Sequence, residues 1–140
     1  MKKAAIYVHS QTGHTKKFAD KIQSKLESLD YDVSMFSDTD FDKIESIEDY
    51  DVLCMGCPTH GGKVSGPFRR VLETIQKYSF DGKKLITFST CAGRGADNVC
   101  LEISDLMEDT GIEKVSSLAL IWEKENMDEV INEHITKELL

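Results

Sequence analysis

Ser10-Gln11-Thr12-Gly13-His14-Thr15 stands between the apolar run Ala4, Ala5, Ile6, Tyr7, Val8 and a stretch in which Phe18, Ile22, Leu26 and Leu29 recur at three- to four-residue spacing. An apolar run followed by helical periodicity reads as a strand entering a helix, so the hexapeptide is the turn between them. A helix N-terminus exposes N–H groups without intrahelical acceptors and carries partial positive charge, and short hydroxyl side chains add neutral donors. Three hydroxyl residues around Gly13 therefore read as a cradle for an anion such as a phosphate. A helix N-cap alone needs only one such residue.

Outward from that turn, strand and helix patterns alternate to the end of the chain. Val33, Met35 and Phe36 form a short second strand, and Asp38 to Asp49 is an acidic connector anchored by Ile44 and Ile47. Asp51 to Met55 is a third strand, apolar on both faces as a central parallel strand is, and it breaks into the loop Gly56-Cys57-Pro58-Thr59-His60-Gly61-Gly62. Ser65-Gly66-Pro67 opens a helix with a cap and an early proline, and Phe68, Val71, Leu72 and Ile75 are its buried face. Leu85 to Phe88 is the fourth strand, followed by the loop Ser89 to Gly95 and a helix marked by Val99, Ile103, Leu106 and Met107 that stops at Gly111. Val115 to Trp122 is the fifth strand, and Met127, Val130, Ile131, His134, Ile135 and Leu139 line a closing helix.

Five strands, each followed by a helix or helical connector, imply an α/β fold: a doubly wound parallel sheet with helices on both faces. Ligands in such sheets bind beyond the carboxyl ends of the strands. The glycine-rich loops after strands one, three and four all lie on that edge and converge on one site.

With 140 residues and 40% of them apolar, the chain is expected to form one domain, residues 1–140. Its net charge of -8 argues against nucleic-acid and anionic-membrane partners. No apolar stretch approaches the length of a membrane span, and the run after Met1-Lys2-Lys3 is interrupted too early, by His9 and Ser10, to be a signal peptide. Four cysteines without the spacing of a disulfide scaffold point to a reducing cytoplasm.

Other constellations read as packing. Cys54 and Cys57, three apart at a strand end, point to opposite faces, unlike a redox dithiol. Cys57 and Cys91 end adjacent strands, where a reversible disulfide is conceivable beside the simpler role of small hydrophobes, and Cys100 fills a helix. His9, His14 and His60 share the loop edge, but no carboxylate pattern makes them a metal site. His134 falls on an apolar helix face as a satisfied core residue, and Trp122 reads as core or edge packing, with contact to a bound ring as the lesser alternative. A response-regulator receiver needs an acidic pair after strand one, where His9-Ser10 stands, and a phosphorylatable aspartate after strand three, where Cys57-Pro58 stands. A low-molecular-weight phosphatase needs C-x5-R, and Asp97 occupies the arginine position after Cys91.

On these residues the whole chain resembles the flavodoxin family. Ser10 to Thr15 is similar to the family's phosphate loop, (Ser/Thr)-x-Thr-Gly-x-Thr, and five strands without a large insertion in the last resemble its short-chain branch. The resemblance implies a strand order of 2-1-3-4-5 and FMN as cofactor. It implies that Ser10, Gln11, Thr12, Gly13, His14 and Thr15 hold the phosphate and that Pro58, Thr59, His60 and Gly61 flank the inner ring face and N5. It also implies that Thr90, Cys91, Ala92, Gly93, Arg94 and Gly95 meet the pyrimidine end of the ring. Gly61 suits a peptide that must flip to offer its carbonyl to a protonated N5.

Departures from the family pattern are specific. No aromatic residue lies between Cys91 and Asn98, His60 takes the inner stacking position, and the near loops carry Lys63 and Arg94 in place of the acidic residues that usually crowd the ring, with Gly62 where an Asp is common. Cations near the ring predict a flavin that is easier to reduce fully. The function implied is electron transfer between oxidoreductases through the flavin semiquinone, with partners docking at the exposed flavin edge. The alternative is a small reductase giving two electrons to a quinone-like acceptor. No catalytic side chain or metal ligand is assigned, and a monomer is the default.

Overall fold

A computed structural model describes residues 2–10, 13–37 and 47–140. Its elements run β1 (Lys2–Val8), α1 (Gly13–Ser28), β2 (Tyr31–Phe36), β3 (Val52–Pro58), α2 (Gly66–Ile75), β4 (Lys84–Cys91), α3 (Ala96–Met107), β5 (Glu113–Ile121) and α4 (Met127–His134). The five strands form one sheet in the order β2-β1-β3-β4-β5, and every neighbouring pair is parallel. The doubly wound architecture is thus as the strand and helix pattern implied, and the 2-1-3-4-5 order as the family resemblance implied.

Alternation along each strand divides the apolar residues into two cores. Ala4, Ile6 and Val8 of β1, with Cys54, Ile86, Phe88, Leu118 and Leu120, pack against Phe18, Ile22 and Leu26 of α1 and Val130 and Ile131 of α4. Ala5, Tyr7, Leu53, Met55, Cys57 and Leu85 face Phe68, Leu72 and Ile75 of α2 and Val99, Ile103 and Met107 of α3. Burial on both faces is why β1, β3 and β4 read as continuous apolar runs.

Element ends shift by one or two residues at β1, β2 and β5, and Leu29 lies just past α1; three further differences bear on the packing. First, β3 continues through Gly56, Cys57 and Pro58, and β4 through Ser89, Thr90 and Cys91, because the two strands stay paired as far as Pro58 opposite Thr90. Gly56 permits this: a Cβ there would lie 2.3 Å from the Phe88 ring, so only a bare backbone fits beneath it. Second, α3 ends at Met107, and a short 3-10 turn over Glu108–Thr110 intervenes before Gly111. Third, α4 ends at His134, so Leu139 lies beyond it and is exposed. Residues 38–46, most of the acidic connector with its expected anchor Ile44, lie outside the described residues.

Candidate functional site

The carboxyl ends of β1, β3 and β4 lie side by side in the sheet, which brings the three loops to one edge. The turn that starts α1 comes first. Gln11 and Thr12 lie outside the described residues; Ser10 is half-buried, Gly13 exposed and His14 half-buried. The first turns of α1 and α2 contain no acidic residue, whereas α3 and α4 carry Asp97 and Asp128 with Glu129 in theirs; of the two, α1 is the one that follows a hydroxyl-rich turn. A helix start without its own carboxylate leaves its N–H groups and dipole to an external anion. A Cβ on Gly13 would meet no atom within 4 Å, so the backbone there is bare toward the site.

Thr15 is placed differently from Ser10, Gly13 and His14. Its side chain is fully buried, and its hydroxyl lies 2.7 Å from the hydroxyl of Thr90, which is 3% exposed. The pair ties the start of α1 to the end of β4. His14 stacks on Trp122 just past β5, with ring centroids 4.0 Å apart and planes at 9°, and the Trp122 backbone N–H donates to the Cys91 carbonyl at 3.1 Å. The first turn of α1, the end of β4 and the residue after β5 are thereby joined.

Beyond β3 the chain makes a tight hairpin. His60 and Lys63 exchange both backbone hydrogen bonds, N–H to carbonyl, at 3.3 and 3.1 Å, and Gly61 and Gly62 between them have φ of 59° and 75°. Two successive positive φ values are the signature of the two-residue turn that closes an antiparallel bridge, and glycine adopts them without strain. Glu102 of α3 fixes the base of this hairpin. One of its carboxylate oxygens accepts from the Val64 N–H at 2.9 Å and the other from Arg69 of α2 at 2.6 Å.

An open groove of about 720 Å³ lies between the hairpin and the loop after β4, lined by Thr59, Gly61, Gly62, Cys91, Ala92, Gly93, Arg94, Gly95, Asp97 and Asn98. That volume is in the range of small-molecule sites. Cβ atoms on Gly61 and Gly93 would meet nothing within 4 Å, so both walls present bare backbone. At Gly95, φ is 104° and a Cβ would stand 2.9 Å from Thr59 Cγ2, which is where the two walls touch. Thr59 is held twice more: its N–H donates to the Thr90 carbonyl at 3.1 Å, and its hydroxyl lies 3.0 Å from Ser89 Oγ.

Of the residues that the family resemblance implied for a ring site, Thr59, Gly61 and Cys91 to Gly95 line the groove together. Pro58 is buried at the end of β3, Thr90 is buried against Thr15, and His60 is exposed on the hairpin outside the groove lining. Lys63 is likewise exposed and is not a lining residue, and Arg94 shares the wall with Asp97. The charged lining is therefore one cation balanced by one anion, rather than the two cations the loops suggested. Asp97 and Asn98 were not found from the sequence; their signal is that they follow Gly95 within the first turn of a helix whose N-terminus faces the site.

Cys57 and Cys91 are not brought within disulfide reach. Cys57 stands opposite Ser89, two residues before Cys91, and such diagonal neighbours are about 7–8 Å apart, against Cβ separations near 4 Å in a disulfide. Burial pushes the Cys57 thiol up to about 11, with the Ser65 N–H at the start of α2 partly opposing the shift. Cys54 lies in the opposite core. All four cysteines are free and buried, and among the described residues no cluster of His, Cys, Asp or Glu has the arrangement of a metal site.

The described residues fit FMN in three respects: an anion-ready helix start, two bare-backbone loops one strand apart, and a groove between them. Comparison with known proteins agrees. A family model described as Flavodoxin matches residues 6–130. A flavodoxin from Picosynechococcus is 30% identical over 89 residues, 63% of this chain and 51% of that protein. The chain spans between half and slightly under two thirds of the curated relatives it matches, 50% to 64% of their length. Among solved structures, a short-chain flavodoxin associated with a bacterial microcompartment superposes with a TM-score of 0.84 at 16% identity, covering 100% of this chain and 97% of that one. A Fusobacterium nucleatum flavodoxin bound to flavin mononucleotide superposes at 0.78 with 18% identity, covering 95% and 96%. With its sheet order, its loops and a family match over most of its length, this chain belongs to the flavodoxins, a family of FMN-binding electron-transfer proteins.

Proposed function

We propose that this chain binds FMN in the groove between the hairpin and the loop after β4, and that it carries electrons one at a time between cytoplasmic oxidoreductases. The observation that carries the reading is the pair of bare-backbone loops at the ends of β3 and β4, beside a helix N-terminus that holds no carboxylate of its own. FMN, when bound, supplies a ring that accepts and returns electrons singly or in pairs. The chain's own part is to bind, orient and tune. The first turn of α1, with Ser10, Gln11, Thr12, Gly13 and His14, holds the phosphate by N–H and hydroxyl donors. Thr15 and Thr90 keep that turn against β4. Thr59, Gly61 and the backbone from Cys91 to Gly95 hold the ring; Pro58 sets the entry to the hairpin, and His60 pairs with Lys63 to close it below the Gly61-Gly62 tip.

Ala92, Gly93 and Arg94 are exposed at the rim, which supports docking of redox partners there. Free, buried cysteines support a reducing compartment, and among the described residues no helix is long and apolar enough to cross a membrane.

Two-electron delivery to a quinone-like acceptor is the second reading. It is favoured by a lining of backbone, hydroxyl and charged groups, which leaves room for an acceptor to stack on the ring. An anaerobic reductive titration of FMN-loaded protein decides between them. A long-wavelength absorbance band that rises and then falls is expected for the one-electron carrier. Bleaching without that band would favour the reductase, and failure to take up FMN would remove both.

A further inference from the structure

The wall of the groove contains a hydroxyl relay whose direction the geometry fixes. Ser89 Oγ lies 2.7 Å from the Cys57 carbonyl oxygen. A carbonyl only accepts, and a serine hydroxyl has one hydrogen, so that hydrogen is spent on Cys57. Thr59 Oγ1 stands 3.0 Å from the same Ser89 oxygen. Ser89 has nothing left to donate, so Thr59 is the donor of that bond. The chain runs Thr59 to Ser89 to Cys57, and the Thr59 oxygen is left with lone pairs and no hydrogen.

Its orientation is held from a second side. Thr59 Cγ2 packs where a Cβ on Gly95 would lie, 2.9 Å away, so the methyl and the hydroxyl are both occupied and the rotamer is pinned. Thr59 lines the groove, whereas Ser89 is fully buried. A half-exposed threonine on a site wall ordinarily offers either polarity by turning its hydrogen; this one does not.

We propose that Thr59 Oγ1 is an acceptor-only contact that positions an N–H or O–H donor of the bound ligand. It discriminates against groups that bring only lone pairs to that point. The inference rests on the flavin reading above, and it adds that the β3 end of the groove selects donors while the α1 end selects an anion.

The test measures FMN dissociation constants for the wild-type protein and for Thr59→Val, Thr59→Ser, Ser89→Ala and the double variant Thr59→Val with Ser89→Ala. Urea denaturation of each ligand-free protein is followed in parallel. Thr59→Val keeps the shape and loses the acceptor, and should weaken FMN about tenfold, the effect of one hydrogen bond whose partner is stranded. Thr59→Ser keeps the acceptor and its bond to Ser89 and loses only the pinning methyl, so it should bind FMN more tightly than Thr59→Val. Ser89→Ala frees the Thr59 hydrogen to turn into the groove, so it should weaken FMN several-fold, and Thr59→Val should then add little in that background. Wild-type affinity in Thr59→Val, or losses that simply multiply in the double variant, would overturn the assignment while leaving the flavin reading intact. A wild-type protein that takes up no FMN would overturn both, and is recognised before any variant is made.

Discussion

Thr15 occupies the last hydroxyl position of the turn proposed to hold the phosphate, yet its side chain is fully buried and its oxygen meets Thr90 at 2.7 Å. Its value in the fold is therefore as a tie between α1 and β4 as much as in ligand binding. Thr15→Val strands the Thr90 hydroxyl in the interior, and should lower unfolding free energy by about 1–3 kcal/mol in a urea titration of the ligand-free protein. If the tie also sets the phosphate turn, FMN affinity falls with it; unchanged affinity would confine Thr15 to stability. Arg94 is the other residue whose role is set by a neighbour. Because Asp97 lines the same groove, Arg94→Glu replaces a balanced pair by two carboxylates. The second one-electron reduction potential of the bound flavin should then fall by tens of millivolts, an effect that shrinks as salt rises. The sequence showed the cation and not its partner, since Asp97 becomes a neighbour of the site only once α3 starts at Ala96.

Glu102 makes two of the contacts that hold the elements framing the groove. It joins α3 to the Val64 N–H at the foot of the hairpin and to Arg69 on α2. Glu102→Ala should speed amide hydrogen exchange of Val64 and of the His60 to Lys63 hairpin, leaving β1 and β3 protected, because only the local opening energy changes. Exchange rates equal to wild type would mean that the hairpin's own two hydrogen bonds suffice. Element types and order were legible throughout, because strands buried on both faces and helices with one apolar stripe leave distinct patterns. Element ends were less so. Gly-Cys-Pro reads as a strand breaker in isolation, and only the Phe88 ring packed on Gly56 and the pairing with β4 explain why the strand runs on. Glu102 was equally invisible, since its partners are 38 and 33 residues away in sequence.

The molecule as a whole is built against alkaline ionisation. Burial raises the thiols of Cys57 to about 11 and Cys100 to about 12, and raises the Cys54 thiol and the Tyr7 phenol further. An unfolded cysteine ionises near pH 8.5. Between that value and the folded pKa the unfolded chain binds fewer protons than the native one, so stability falls as pH rises, by about 1.4 kcal/mol per pH unit for each such group. Below pH 8 these groups leave stability flat. Urea midpoints from pH 7 to 10.5 should decline from about pH 8.5 onward, and Cys57→Ala should decline less steeply; parallel slopes would remove Cys57 from the account. Convergence of the three loops was readable from the sheet rule alone, but the groove's polarity was not, because it depends on which hydroxyl spends its hydrogen where.

The His14–Trp122 stack has a use outside binding. Trp122 is the only tryptophan in the chain, and it lies flat on the first turn of α1 while its backbone N–H holds the end of β4. Its fluorescence is thus a label-free gauge placed where two of the three loops meet: emission should change if the first turn of α1 and the end of β4 come apart, in a protein that needs no dye, tag or engineered probe to be watched.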